Sequence, residues 1–261
     1  MFRLSVLFIA FLSVGCVSLD PNYQRPDAPV PASLPGTQGQ ATAVIGNWQQ
    51  VVKDPRLNKV VSMALNSNRD VQKAIADIDA ARAQFGETRA SLFPTVNAEL
   101  TGSRGRTTTT TGVNTTAQAD GAVSSFELDL FGRNQSLSRA ARETWLASEY
   151  TAQNTRLTMI AELSTAWVTL AADNSNLALA QQTMDSAANS RNIVARQMAV
   201  GTASAGDLSS AESVYQQARA SVASYRTLVA QDKNAINLLA GETVPESLLP
   251  GTLESLGDNS I

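Results

Sequence analysis

Apolar and small side chains recur at alternating steps of three and four residues along most of the chain. This spacing places them on one stripe of an α-helix. The first stripe follows Asp54 and Pro55, a pair typical of an N-cap and a first-turn proline. It continues to Leu92, immediately before Phe93 and Pro94. The pattern therefore predicts a helix over residues 54–92.

Two longer stripes occupy the second half of the chain. Residues 133–200 contain neither glycine nor proline, and residues 207–240 keep the same spacing without a break. A helix as long as the first of these runs would extend about 100 Å. The short segment between them is bounded by Gly201 and Gly206, which favours a tight turn. We predict an antiparallel helical hairpin over residues 133–241, with seams so rich in small and polar residues that neighbouring helices are needed to cover them.

A period of two residues, typical of β-strands, separates the first helix from the hairpin. The alternating positions are Val96, Ala98 and Leu100, and later Ala122, Ser124, Phe126, Leu128 and Leu130. We predict a β-hairpin over residues 93–132, with a polar loop over 104–120. Each strand would be about ten residues long, enough to cross a membrane when tilted. Because an isolated two-stranded ribbon has open edges, strands from elsewhere must close it.

The same alternation assigns the two faces of the predicted hairpin. Glu99, Glu127 and Asp129 fall on the polar face, which would meet water. The opposite face carries Leu100, Phe126 and Leu128 and would meet lipid. The closely spaced carboxylates Glu127 and Asp129 also suggest a glycosidase acid and nucleophile, but that chemistry depends on a defined separation of the two groups. A polar strand face is the better interpretation.

The N-terminus resembles an export signal. Residues 1–15 contain Arg3 and then an apolar run that is about half the length needed to span a bilayer as a helix. Cys16 follows Gly15 directly and resembles the modified cysteine of a bacterial lipoprotein, although an incidental cysteine is the alternative. We expect Cys16 to carry a lipid and residues 16–53, which are rich in proline, to run extended.

Composition narrows the possible functions. Among 261 residues there is no histidine and one cysteine, which removes the commonest general base and excludes an internal disulfide or a cysteine-rich metal site. The formal net charge of −3 provides no basic field, so nucleic acid is not an expected partner. We predict a protein that binds no cofactor and catalyses no reaction.

Several short motifs, in this order, resemble those of one family. They are residues 21–26 after the cysteine, Asn68-Arg69-Asp70, Leu92-Phe93-Pro94, residues 126–133 with the sequence FELDLFGR, residues 200–208 with the sequence VGTASAGDL, and residues 228–234. With these motifs the chain resembles the TolC-like outer-membrane efflux proteins, in their lipoprotein branch of the OprM and NodT kind. The resemblance covers nearly the whole chain.

The resemblance implies an α+β membrane protein in which a transmembrane β-hairpin and a long helical hairpin contribute to a trimeric α/β-barrel. Such homotrimers are passive exit ducts for drugs or other small molecules, anchored in the outer membrane with a periplasmic helical portion. They dock through their helical turns to a periplasmic adaptor protein, which an inner-membrane transporter drives. The resemblance assigns docking to Val200, Gly201, Thr202, Ala203, Ser204, Asp207 and Leu208.

Family members are built of two similar halves, whereas this sequence contains one hairpin of each kind. We therefore interpret residues 242–261 as the start of a truncated second half, and we expect the chain alone to be unable to close a barrel. The alternative from another class is a secreted, lipid-anchored trimeric stalk or adhesin. A periplasmic sensor bundle is a further alternative.

Overall fold

The computed structural model describes residues 23–24, 26–27, 48–106, 113–124, 126 and 128–256. The chain divides into two compact units. The strand unit takes in the described residues of Met1–Val30 and Ala76–Tyr150, and the helical unit takes in those of Pro31–Ile75 and Thr151–Ile261. Cys16 and Glu127, both singled out from the sequence, lie outside the described residues.

The described residues are mostly helical, with one small two-stranded sheet. The helices are α1 (Pro55–Ser67), α2 (Arg69–Ala90), α3 (Arg133–Ala199) and α4 (Ala205–Ala240), and the strands are β1 (Thr95–Arg106) and β2 (Val113–Ser124). Short 3₁₀ turns lie at Trp48–Gln50, Glu246–Leu248 and Leu253–Ser255. The long helices α3 and α4 occupy the range in which the sequence predicts a helical hairpin.

Helix α1 begins as its sequence predicts. The carboxylate of Asp54 accepts hydrogen bonds from the backbone N–H groups of Arg56 at 2.7 Å and Leu57 at 3.4 Å, and Pro55 occupies the first turn. The Arg56 side chain also pairs with this carboxylate at 3.0 Å. Burial acts to raise the pKa of Asp54, but the hydrogen bonds and charge of Arg56 outweigh it and lower the pKa.

The helix predicted over residues 54–92 is interrupted at Asn68, where the backbone is extended with ψ 131°. The Asn68 side-chain oxygen accepts hydrogen bonds from the N–H groups of Asp70 and Val71, which makes it the cap of α2. Its amide nitrogen donates to the Leu239 carbonyl at 2.8 Å. The prediction of one continuous helix was wrong because a buried asparagine can replace backbone hydrogen bonds and serve a second helix at the same time.

The core of the helical unit is built around Trp167, a residue of α3 that is fully buried. Its ring nitrogen donates to the Leu248 carbonyl at 3.5 Å, and the Arg56 guanidinium lies 5.4 Å from the ring centre. The largest fully buried side chains are Trp167, Leu57, Leu163, Leu170, Ile236, Val60, Val61 and Val71. This cluster joins α1, the start of α2, and the buried faces of α3 and α4.

Residues 242–256 pack against the same helices. Val244 and Leu249 belong to the core, and the Asn174 side chain donates to the carbonyl of Gly251 at 3.1 Å. Lys233 forms an ion pair with Glu246 at 2.8 Å. The sequence shows no period in this segment because its regular structure is limited to short 3₁₀ turns, and hydrogen bonds with side chains of α3 and α4 hold its backbone.

Strands β1 and β2 pair antiparallel over their whole length, with Glu99 opposite Asp120 and Leu100 opposite Ala119. The second strand therefore lies earlier in the chain than predicted. It occupies much of the expected loop, and Phe126 and Leu128 lie outside it. The prediction was wrong because β2 contains small and polar residues with weak alternation, so that pairing with β1 rather than its own pattern fixes its position.

The register defines two different faces, because directly opposite residues point to the same side of a sheet. The apolar face combines Val96, Ala98 and Leu100 with Ala119, Gly121 and Val123. The polar face combines Asn97, Glu99 and Thr101 with Gln118, Asp120 and Ala122. Leu100 and Glu99 keep their predicted faces, whereas Ala122 lies on the polar side instead of the apolar one.

Gly241, which ends α4, provides a test of the packing at the helix break. Its φ is +76°, and an added Cβ would lie within 3.0 Å of the Asn68 nitrogen and closer still to the Ser67 carbonyl. Gly241→Ala should therefore lower the free energy of unfolding by about 1–3 kcal/mol, measured by denaturant titration.

The matched control is Gly86→Ala in α2, where an added Cβ meets nothing within 4 Å. This change should raise stability by about 0.5–1 kcal/mol because alanine is the better helix former. Equal effects of the two substitutions would show that Gly241 is not required at the break.

Candidate functional site

The turn between α3 and α4 begins with a helix-ending motif centred on Gly201, whose φ is +79°. The N–H of Thr202 donates to the Gln197 carbonyl at 2.9 Å, and the N–H of Gly201 donates to the Met198 carbonyl at 3.0 Å. This pair of bonds defines a Schellman motif, in which the left-handed residue is usually glycine. The sequence predicts this role for Gly201, and the prediction is confirmed.

A capping box then starts α4. The Ser204 hydroxyl accepts a hydrogen bond from the Asp207 N–H at 3.1 Å, and the Asp207 carboxylate accepts one from the Ser204 N–H at 2.8 Å. Hydrogen bonds from the Ser204 hydroxyl and N–H lower the pKa of Asp207, which keeps its carboxylate charged and the box intact. The turn is thus fixed from both sides by local bonds.

The surface of this turn is small and nearly neutral. Val200 is 75% exposed, and the residues after it are mostly exposed, with Ala203 and Leu208 partly buried. Asp207 is the single charged residue between positions 200 and 208. All seven residues assigned to docking therefore lie together in one rigid turn, which offers close backbone approach rather than a charged patch.

Arg191 braces the two long helices near the turn. Its guanidinium forms an ion pair with Glu212 of α4 at 3.2 Å and lies 5.2 Å from the ring centre of Tyr215. From the sequence, Arg191 and Tyr215 are seam residues. Their pairing across the hairpin could have been found only by aligning the two seams from the turn outward.

Of the carboxylates predicted for the polar hairpin face, Glu127 lies outside the described residues, and Glu99 and Asp129 do not share a strand face. Glu99 lies on that face opposite Asp120, a residue that the sequence reasoning missed. Asp129 lies outside both strands, and its carboxylate accepts a hydrogen bond from the Gln135 N–H at 2.9 Å in the first turn of α3. The alternation argument therefore does not apply to Asp129, whose observed contact is that of a helix cap.

A second pair of carboxyl groups, Asp173 of α3 and Asp232 of α4, lies between the two long helices. Asp232 has one oxygen shielded from solvent without a hydrogen-bond donor, and Asp173 is its carboxyl neighbour. Burial, together with the charge and hydrogen bonding of Asp173, raises the pKa of Asp232. Two carboxyl groups can share a hydrogen bond only while one of them holds a proton.

The described residues give no support for metal chemistry. They contain no group of three or more histidine, cysteine, aspartate or glutamate residues placed to hold a metal ion. Within the same part of the chain, no helix has the length and apolar character needed to cross a bilayer.

Comparison with known proteins identifies the family to which the chain is similar. The family model described as outer membrane efflux protein matches residues 60–242. The probable efflux pump outer membrane protein TtgC of Pseudomonas putida is 38% identical over 258 residues, covering 94% of this chain and 53% of that protein. The outer membrane protein OprJ of Pseudomonas aeruginosa is 36% identical, covering 95% of this chain and 54% of that protein.

Solved structures agree with this placement. A membrane protein from Pseudomonas aeruginosa has a TM-score of 0.76 at 35% identity, covering 89% of this chain and 54% of that one. The outer-membrane channel OprN has a TM-score of 0.72 at 26% identity, covering 90% and 55% of the two chains. The chain belongs to the outer membrane efflux protein family, a family of channels rather than of enzymes. It spans about half the length of these relatives.

Asp232 provides a test of the carboxyl pair. Because its folded-state pKa is raised, the folded protein holds this proton more tightly than the unfolded chain, and stability falls as pH rises from about 3.8 through the raised value. Asp232→Asn should therefore stabilise the protein at neutral pH, with the gain shrinking as pH falls toward 3.8.

The control is Asp185→Asn, which removes the same charge from an exposed position of α3. Thermal unfolding over a series of pH values compares the two variants. A gain for Asp232→Asn that is the same at every pH would contradict the carboxyl pair.

Proposed function

We propose that this chain contributes to the outer-membrane channel of a tripartite efflux system. The observation that carries this proposal is the β-hairpin, which has one apolar and one polar face from Val96 to Leu100 and along the paired part of β2. Such a ribbon cannot lie in lipid with open edges, because unpaired backbone groups are costly there. Closure with strands from other copies gives the trimeric barrel that the family resemblance implies.

The two faces support one orientation of the hairpin in that barrel, with the apolar face toward lipid and the polar face toward the interior. Leu100 is 84% exposed and Val96 is 73% exposed, so the apolar face has no cover from described residues and is suited to lipid. Glu99 and Asp120 lie opposite each other on the other face and would line the water-filled interior. In this proposal Asp120 takes the place expected for Asp129, and the assignment of Glu127 to the interior remains a prediction from the sequence.

The rigid turn at residues 200–208 supports a docking role. We assign it contact with a periplasmic adaptor, which an inner-membrane transporter would engage in turn. Small side chains and two glycines allow a second helical turn to approach closely. A lipid on Cys16 would hold the N-terminus at the membrane, and this assignment remains a prediction from the sequence.

Relatives suggest the class of compound carried. One Pseudomonas putida relative is named as a toluene efflux pump protein and another as an antibiotic efflux pump protein. We propose small organic compounds as the exported molecules. The chain would act as a passive duct, since the family to which it belongs is one of outer-membrane channels.

The orientation of the hairpin is tested by introducing an arginine on either of its two faces. Leu100→Arg places a cation on the lipid face at a cost of about 2–4 kcal/mol near the bilayer midplane, and it should reduce the yield of heat-modifiable trimers in outer membranes. Thr101→Arg, one residue along and on the polar face, should leave that yield unchanged. The reverse ranking would show that the faces are inverted.

The docking turn is tested with an exposed apolar residue. Val200→Arg changes a side chain that is 75% exposed, so the turn should fold normally while a bulky charge blocks the adaptor. Efflux should fall, measured as increased accumulation of a fluorescent substrate in cells, with trimer yield unchanged.

Leu238→Arg is the matched control, because Leu238 is 79% exposed on α4 far along the helix from the turn. It should leave efflux intact. Normal efflux with Val200→Arg, or equal losses with both variants, would move the docking surface elsewhere.

A further inference from the structure

The apolar face of the hairpin ends in two arginines toward the loop. Arg104 and Arg106 follow Val96, Ala98 and Leu100 on the same face, because they lie an even number of residues further along β1. The residues opposite them are Thr115 and Val113. A face that is otherwise free of charge thus finishes with two adjacent cations.

Neither arginine is neutralised by the part of the hairpin that the structure describes. Both are exposed, and neither forms an ion pair with a described residue. The nearest acids along the hairpin, Glu99 and Asp120, lie on the opposite face of the sheet. If the two arginines shared a face with Glu99 and Asp120, they would line the water-filled interior of the proposed barrel. The strand register places them on the other face instead.

The position of the arginines along the strand fits the edge of a membrane. From Thr95 to Arg104 a strand rises about 30 Å, at about 3.3 Å per residue. A tilt of about 40° reduces this to about 23 Å across the bilayer, close to the height of about 25 Å for the apolar band of outer-membrane barrels. The first arginine would therefore reach the headgroup region, where the cost of a lipid-facing arginine is small.

The headgroup region of the membrane contains phosphate groups that can pair with the two arginines. Guanidinium groups bind phosphate through paired N–H donors, and two such groups on one strand face can hold neighbouring phosphates. In the proposed channel the helical portion is periplasmic, and α2 and α3 adjoin the ends of β1 and β2 opposite the loop. The loop end is therefore the outer end, and the lipids in reach are those of the outer leaflet. Charge complementarity therefore selects lipids with phosphorylated headgroups over zwitterionic ones.

We propose that Arg104 and Arg106 form a binding site for the phosphate groups of outer-leaflet lipid. This inference rests on the proposed channel function, because it requires the apolar hairpin face to lie against lipid.

The test uses trimers of the protein purified from outer membranes. Native mass spectrometry measures its retention of added lipopolysaccharide and of lipopolysaccharide stripped of phosphate. Wild type should retain the phosphorylated form. Arg104→Gln with Arg106→Gln should bind it about tenfold or more weakly, and should bind the stripped form as wild type does.

Two further variants separate position from charge. Arg104→Lys with Arg106→Lys keeps both cations and should retain most of the binding. The double variant Ser103→Arg with Arg104→Ser exchanges two neighbouring residues, so the composition is unchanged while one cation moves to the polar face. It should weaken the binding of phosphorylated lipopolysaccharide as much as removal of the Arg104 charge would.

The outcomes separate this inference from the function on which it rests. Unchanged retention in the glutamine and exchange variants, with trimers formed normally, would overturn the lipid site and leave the channel proposal intact. Equal binding of the phosphorylated and stripped lipids would also overturn it. Failure of the wild-type protein to form membrane trimers would overturn both.

Discussion

The burial of Trp167 is the contact on which the helical unit depends. Its indole is enclosed by side chains from α1, α3 and α4, and Leu57 and Ile236 are as completely buried beside it. The long helices carry mostly small or polar residues elsewhere along their seams, so they gain little apolar burial per turn. One concentrated core therefore fixes positions that the rest of the seam cannot fix alone.

The helix break and the segment after α4 are consequences of this core. Asn68 joins three helices: its backbone N–H donates to the Ala64 carbonyl at the end of α1, and its side chain caps α2 and bonds the end of α4. Gly241 permits the close approach at that point, because any Cβ there would meet backbone. Farther from the core, Arg191 links α3 and α4 through an ion pair and a ring contact, and local bonds alone shape the turn.

The strand unit is governed by a different constraint. The pairing of β1 with β2 satisfies the facing backbone groups and determines which side chains share a side. Outside the sheet, Asp129 bonds the start of α3, and Phe85 stacks on Trp145 with ring centres 5.9 Å apart. The exposed apolar face and the two arginines that end it follow from this register, and in the proposed channel both would meet lipid.

The sequence by itself determined the features that arise from local bonds and periodic patterns. It predicted the cap at Asp54, the turn at Gly201 and the two long helices, because each depends on residues close together in the chain. Only the tertiary structure decided the break at Asn68, the position of β2 and the pairing of Glu99 with Asp120. These features depend on partners that are distant in sequence: the carbonyl of Leu239 accepts the bond that fixes Asn68, and β1 sets the register of a strand whose own residues hardly alternate.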